Sequence, residues 1–364
     1  MLPTVSAAPE LAALGWDEGW MSALAELSDP TLSPARVSRV DRGLCTVMTG
    51  LTEVRVTAER GVEIAVGDWV AVGPGPTSGD KPRIVAVLPR RRVFRRASDT
   101  QGVAPQIVAA NIDTLLLCDA LDGGLSLRHL ERYLALAWQS GATPVVLITK
   151  ADAVRPEVVV EAVKAVEAVA EGVRVLVVSS TTGEGMDDLA AYLAPGRTVA
   201  MLGLSGAGKS TLGNLFAGEE ILATGPVRRD GKGRHTTTHR ELVLLPGGGL
   251  LIDTPGMRAL SVVAASSGVE QTFRDLEALS SDCEFANCAH SGEQGCALAA
   301  ALSDGRISRE RLDSWLRLRA EPHPDDRAAD RRAVEDRKQR KATKVADRRA
   351  AKPKQPQVRG TSYL

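Results

Sequence analysis

The stretch VAMLGLSGAGKSTLGNLF, residues 199–216, decides the fold. An apolar strand runs into a glycine-rich loop and then into a helix. The loop Gly203-Leu204-Ser205-Gly206-Ala207-Gly208-Lys209-Ser210 has the G-x-x-x-x-G-K-[ST] spacing of a phosphate cradle. In such a loop the glycines let backbone N–H groups point at phosphate oxygens. Lys209 reaches the β- and γ-phosphates, the Ser210 hydroxyl ligates Mg²⁺, and Thr211 joins the nucleotide-contacting set. The helix that begins near Lys209 adds the positive end of its dipole. The alternative is a chance glycine-rich turn, and the strand–loop–helix context argues against it. A cradle does not name the base, and no base-reading box follows Ser210.

A phosphate cradle also needs a carboxylate for the metal at the end of a neighbouring strand. LLIDTPGM, residues 250–257, supplies one. Asp253 ends an apolar strand and Gly256 follows it in D-x-x-G. Asp253 should hold Mg²⁺ through water, and the Gly256 N–H should meet the γ-phosphate. Between cradle and carboxylate lies GKGRHTTTHRE, residues 231–241. A threonine here can close on Mg²⁺ as a nucleotide-sensing switch. Three adjacent threonines leave the choice open, with Thr237 favoured; a solvated loop is the bland alternative.

The base box lies upstream. TKAD, Thr149–Lys150–Ala151–Asp152, ends the apolar run PVVLI. An Asp here accepts two hydrogen bonds, from guanine N1–H and the exocyclic amine. Adenine lacks both donors and would leave the carboxylate unpaired. Lys150 can pack along the base. VVSSTTGEG ends the next strand, where Ser179 and Ser180 can support the guanine O6. The order is base box, serine loop, cradle, threonine switch, D-x-x-G, a circular permutation of the usual GTPase order.

Composition agrees with a soluble enzyme. The 364 residues are 44% hydrophobic and 25% charged, with zero formal net charge. No apolar run approaches a membrane span. The N-terminus carries no signal-peptide pattern, so a cytoplasmic, membrane-free protein is expected. Neutrality argues against polyanion binding by the whole protein, but charge is uneven. Residues 336–360 hold ten Lys/Arg against two Asp, and PRRRVFRR (89–96) is a second basic cluster. Either can hide local nucleic-acid contacts.

Between Ala35 and Val87, five short β-rich runs are parted by turn signals, which fits a small barrel. An OB-like barrel that binds oligonucleotides and a purely structural barrel both remain open. From Ile107 onward strands and helices alternate, which means a mostly parallel sheet covered on both faces. The expected division is an N-terminal extension (1–34), an OB-like barrel (35–92), an α/β P-loop GTPase domain with permuted motif order (93–265), a small helical zinc-binding domain (266–320) and a basic tail without periodicity (321–364). The first thirty residues read as weakly helical, without chemistry. Glu270–Leu279 reads as one helix, and another lies near Ser308–Leu318. No heptad seam suggests a dimer, so a monomer is expected.

Five cysteines, three of them clustered beside a histidine, point to metal rather than disulfides. CEFANCAHSGEQGC places Cys283, Cys288, His290 and Cys296 within fourteen residues. Three thiolates and one imidazole make a closed, structural tetrahedral Zn²⁺ set. Cys45 and Cys118 read as packing residues in strands, and His129 as a helical residue with no partner in view.

Together RVSRVDRG, VGDWV, AANID, LERYL, TKAD, GLSGAGKSTLGN, GRHTTTHR, DTPGMR and the Cys/His cluster resemble the ribosome small-subunit-dependent GTPases, an RsgA-like, circularly permuted family. The resemblance covers roughly Ala35 to Leu318. It implies an OB barrel, a permuted GTPase domain and a zinc domain. It also implies late maturation of the small ribosomal subunit, with contact to rRNA and GTP hydrolysis to GDP stimulated by that subunit. Thr149 stands where Asn is usual, and Met257 stands where Ras-like enzymes place a water-orienting Gln. Slow intrinsic turnover follows, and His235 is the local substitute to which the resemblance also points. A structural loop histidine and a direct ribosome contact are its alternatives. An rRNA-binding assembly factor that keeps GTP as a structural ligand, with little turnover, is the competing function.

Overall fold

Turn residues and β-rich runs become strands in the computed structural model of the chain. It describes residues 9–41, 43–58, 61–77, 79–96, 106–220, 241–253, 266–285 and 287–321. His235, Thr237, Gly256, Met257 and the basic tail lie outside the described residues.

Two short helices, α1 (Pro9–Ala13) and α2 (Glu18–Ala25), precede the first strand, and the Asp17 carboxylate caps α2 by accepting from Trp20 N. Strands β1 (Ser33–Asp41), β2 (Leu44–Met48), β3 (Glu53–Ala58), β4 (Trp69–Gly73) and β5 (Arg83–Val87) pair in the order β1-β2-β3-β5-β4. Strand β4 returns to β1, which closes a five-stranded barrel. The N-terminal stretch is more than the weak helix expected. Trp16 meets Trp69 edge-on at 4.7 Å and Trp20 lies 6.4 Å away, so the helices are stapled to the barrel by a buried tryptophan cluster.

Next comes an antiparallel ribbon that the basic run concealed: β6 (Val93–Arg96) with β7 (Gln106–Ala110). The arginines before it are structural ties. Arg90 pairs with buried Asp68, Arg91 with Asp17, and Arg92 with Asp113.

The α/β domain follows as β8 (Thr114–Ala120), α3 (Leu127–Ser140), β9 (Thr143–Thr149), α4 (Pro156–Val169), β10 (Arg174–Val178), α5 (Met186–Ala190), β11 (Thr198–Leu202), α6 (Lys209–Ala217), β12 (Glu241–Leu244) and β13 (Leu250–Asp253). The strands lie in the order β10-β9-β8-β11-β13-β12, parallel except β12. Every residue of β8 is buried, as a central strand covered on both faces requires. Helix α4 starts with Pro at its first position, where no N–H is needed, after an extended Arg155. Helix α3 stops at Gly141 in the left-handed conformation. The sheet joins the barrel through the pairing of Arg39 with Glu241.

The last helices are α7 (Ser266–Thr272), α8 (Arg274–Ser280), α9 (Ala297–Ser303) and α10 (Arg309–Ala320). The single helix expected over Glu270–Leu279 is two. Phe273, fully buried, leaves helical geometry between them, with the Arg311 guanidinium 5.0 Å over its ring. Arg311 also donates to Thr272 O at 3.2 Å, which satisfies a carbonyl freed by the break. Helix α7 lies so close to α3 that a side chain at Gly268 would collide with the Ala135 carbonyl.

Truncating Trp69, which joins the tryptophan cluster to the barrel, should cost about 3–5 kcal/mol. Urea unfolding of Trp69→Ala checks this, and an unchanged midpoint would show that the cluster carries no stability.

Candidate functional site

Because β10, β9, β8, β11 and β13 run parallel, their carboxyl ends share one edge of the sheet, where ligands of open α/β sheets bind. The cradle, the TKAD box, the serine loop and Asp253 meet there.

The cradle leaves β11 at Gly203, whose φ of +153° is open to glycine. A β-carbon at this position would strike the carbonyl of Cys118 in β8, so the loop crosses its neighbour at backbone contact. Gly206 and Gly208 also have positive φ, and Gly208 leads into α6. Leu204, Ser205, Gly206 and Thr211 are exposed, whereas Ala207 is buried. The Lys209 ammonium donates to the carbonyls of Gly203 (2.7 Å) and Leu204 (2.6 Å), at the mouth of the loop. Ser210 opens α6. Pairing of Ala200 with Ile252 brings Asp253, the last residue of β13, alongside the start of the cradle.

The base box closes β9. Thr149, buried, directs its one hydroxyl proton between the carbonyls of Ala207 (3.1 Å) and Asp119 (3.3 Å). It therefore ties the box to the cradle. Lys150 has a left-handed backbone (φ 57°), and its ammonium is 2.7 Å from the Asp122 carboxylate. Ala151 is buried at the head of a short 3-10 turn, and Asp152 is exposed. The Asp152 carboxylate accepts from Ser179 Oγ at 2.6 Å. Ser179 is wholly buried, and its oxygen accepts from the N–H groups of Thr181 (3.2 Å) and Thr182 (3.1 Å). Its side chain is thus committed to Asp152, where support of the base was expected; Ser180 is half-buried beside it.

Two acids at this edge were not expected. Asp119 is the buried penultimate residue of β8, and burial pushes its carboxyl above the usual range, opposed by bonds from Ser126 N and Ala120 N. Asp122 holds Lys150. The signal was present in CDALDGG, two acids immediately after an apolar strand. His129 likewise has a partner, its Nδ1 lying 2.7 Å from Ser126 Oγ and its ring stacked against Tyr133. Cys45 and Cys118 are buried, as expected, and burial pushes the Cys118 thiol up to about 12.

The second cluster lies between α8 and α9. One ligand atom from each of Cys283, Cys288, His290 and Cys296 falls within 4.8 Å of the others. His290 Nδ1 is 3.6 Å from Cys283 Sγ and 3.9 Å from Cys296 Sγ. A tetrahedral ion with ordinary Zn–S and Zn–N bonds would set such edges at about 3.6 Å. The donor set and its spacing therefore fit a metal ion. Burial, then the charge of Arg319, hold the His290 pKa below its usual value and favour the neutral ring that ligates. The Glu293 carboxylate braces the loop by accepting from Ala289 N (2.9 Å) and Ser291 N (2.8 Å). The His290 ring rests 5.3 Å from Trp315, whose indole N–H bonds Glu277 at 2.8 Å.

Comparison with known proteins agrees with this geometry. A family model described as RsgA GTPase matches residues 87–263. The small ribosomal subunit biogenesis GTPase RsgA of Streptomyces avermitilis is 46% identical over 321 residues, covering 86% of each chain. The protein of the same name from Opitutus terrae is 41% identical over 85% of this chain and 89% of its own. Among solved structures, YjeQ from Thermotoga maritima superposes with a TM-score of 0.58 at 24% identity, covering 79% of this chain and 97% of that one. YloQ, described as a circularly permuted GTPase, gives 0.55 at 22% identity over 79% and 93%. These two likenesses concern the fold.

Replacing Thr149 by Val removes the hydroxyl that links β9 to the cradle and leaves the Ala207 carbonyl without it. The variant should lose about 1 kcal/mol of stability in urea unfolding without nucleotide, and Thr149→Ser should recover it.

Proposed function

This chain belongs to the RsgA GTPase family and is a GTPase, and we propose that it acts in biogenesis of the small ribosomal subunit, with turnover stimulated by that subunit. The observation that carries the reading is the convergence at one sheet edge of a cradle, a braced guanine-reading carboxylate and a strand-end Asp. Relatives with 40–46% identity named for small-subunit biogenesis support the partner. Contact with rRNA follows from the same partner. No helix among the described residues is long and apolar enough to cross a membrane. We place the protein in the cytoplasm as a monomer.

In this reading Gly203–Thr211 wrap the phosphates. Lys209 exchanges its bonds to the Gly203 and Leu204 carbonyls for the β- and γ-phosphate oxygens. Asp152 reads guanine N1–H and the exocyclic amine, held in aim by Ser179, while Thr149, Lys150, Ala151 and Ser180 shape the base pocket. Ser210, Thr237 and, through water, Asp253 would hold Mg²⁺, which neutralises charge on the β- and γ-phosphates. Gly256 meets the γ-phosphate. A water attacks the γ-phosphorus, the bond to the β-phosphate oxygen breaks, and GDP and phosphate leave. His235 orients that water, in the role Met257 cannot fill. Cys283, Cys288, His290 and Cys296 hold one structural Zn²⁺.

Hydrolysis should rise at least tenfold with purified small subunits and stay at the basal rate with large ones. Equal or absent stimulation would leave an assembly factor that holds GTP as a structural ligand. Asp152→Asn should weaken GTP binding about a hundredfold, measured with a fluorescent guanine nucleotide, because the pairing with both guanine donors is lost. The purified chain should carry one equivalent of zinc by metal analysis, and Cys288→Ser should lose it together with the cooperative unfolding of the C-terminal helices.

A further inference from the structure

At the opposite edge of the sheet from the cradle, the N-terminal helices, the barrel and the α/β domain line a half-open cavity of about 360 Å³. Asp113 and Arg197 reach it from the residues just before β8 and β11. Four guanidinium groups, Arg36, Arg91, Arg92 and Arg197, line it together with two carboxylates, Asp17 and Asp113. The carboxylates are already taken. Asp17 forms a two-point pair with Arg91 at 2.5 and 2.6 Å, and Asp113 pairs with Arg92 at 2.7 Å. Two positive charges remain without a counter-charge in the wall.

One of them is Arg36, wholly buried. Its guanidinium bonds only carbonyls: Leu14, Asn111 at 3.2 Å and Gly67 at 3.4 Å, with the Trp69 ring 5.6 Å away. Three carbonyls occupy three of its five N–H donors, which leaves two. Buried cations are ordinarily paired with an anion, because carbonyl dipoles offset only part of the lost hydration. Burial pulls the Arg36 pKa down to about 10 against the opposing pull of Asp113 and Asp68, the sign of a charge held at a loss. The other charge is Arg197, exposed at the rim, whose guanidinium has no hydrogen-bond or ion-pair partner among the described residues.

We propose that this junction cavity is a second anion site, taking a small phosphate dianion between Arg36 at its floor and Arg197 at its rim. Arg197 offers a planar donor fork that matches phosphate oxygens, and Arg36 adds the two N–H groups that its carbonyl partners leave. The volume falls in the range of small-ligand pockets and leaves room for the ion with part of its hydration. An occupant would bridge the barrel, through Arg36, and the α/β domain, through Arg197, beneath the N-terminal helices.

The test is calorimetric titration of inorganic phosphate into the full chain loaded with a non-hydrolysable GTP analogue and Mg²⁺, at constant ionic strength against chloride. Loading fills the cradle, so phosphate cannot report on it; failure to load would count against the nucleotide site and not against this one. Saturable binding at one site is expected, with a dissociation constant of about 1 mM or tighter. Arg197→Gln, a substitution at an exposed side chain without a hydrogen-bond or ion-pair partner among the described residues, should weaken it about fivefold or more. Arg36→Lys keeps the charge but not the fork and should weaken it as well; if that variant does not fold, Arg197→Gln decides alone. No saturable binding overturns the proposal. Equal affinity in wild type and Arg197→Gln means an adventitious ion only and overturns it too.

Discussion

The chain passes from β11 into the cradle at backbone contact with the Cys118 carbonyl, and the nucleotide edge is built on that crossing. Only glycine fits at 203, because a β-carbon would push the loop off β8. Everything downstream is referenced to this point. Gly208 turns the chain into α6, so the helix N-terminus faces the edge. The Ala207 carbonyl comes within 3.1 Å of Thr149, which fixes the base box relative to the phosphate loop. Cys118 sits beneath as a fully buried packing residue.

Permutation of the motif order is compatible with this geometry because a parallel sheet collects its functional loops by strand direction and not by chain order. The base box precedes the cradle in sequence by some fifty residues, yet β9 and β11 flank the same central strand, β8. The box is held by contacts with other segments of the fold. Each of its polar side chains has a brace from elsewhere: Thr149 on the cradle, Lys150 on Asp122, Asp152 on Ser179. Ser179 is in turn oriented by two backbone amides, so the Asp152 carboxylate is held by the fold itself. Such pre-organisation reduces the ordering cost of binding.

The parts legible in the sequence are those whose signals are local. The cradle, TKAD, the five barrel strands and the Cys/His knot each depend on spacing within a short window, and the structure places them accordingly. The parts that were not legible depend on long-range partners. The run PRRRVFRR looks like a polyanion contact until Asp17, Asp68 and Asp113, distant in sequence, are found opposite its arginines. Its second half is a strand whose partner begins at Gln106. Trp16 and Trp20 lie in an Ala-rich, weakly helical segment, and their partners Trp69 and Arg91 lie far along the chain. The period of Glu270–Leu279 is helical throughout; the break at Phe273 arises because its ring is buried under Arg311, a residue of another helix.

Arg311 also settles how the metal knot is attached to the enzyme. Its guanidinium contacts Asp275 in α8 at 2.6 Å and Glu131 in α3 at 2.9 Å, and Glu131 is buried. Pulling the two modules apart would strand a buried carboxylate, which costs about 3–5 kcal/mol when one partner is lost. Arg132 and Glu321 add a second, two-point pair across the same boundary, at 2.8 Å for each contact. Helix α3 therefore carries the C-terminal helices at Glu131 and Arg132, while Ser126, just before its first turn, bonds Asp119 at the nucleotide edge. A force applied to the C-terminal helices must either break a buried ion pair or move α3. Moving α3 disturbs the turn that carries Asp122, and with it the brace on Lys150.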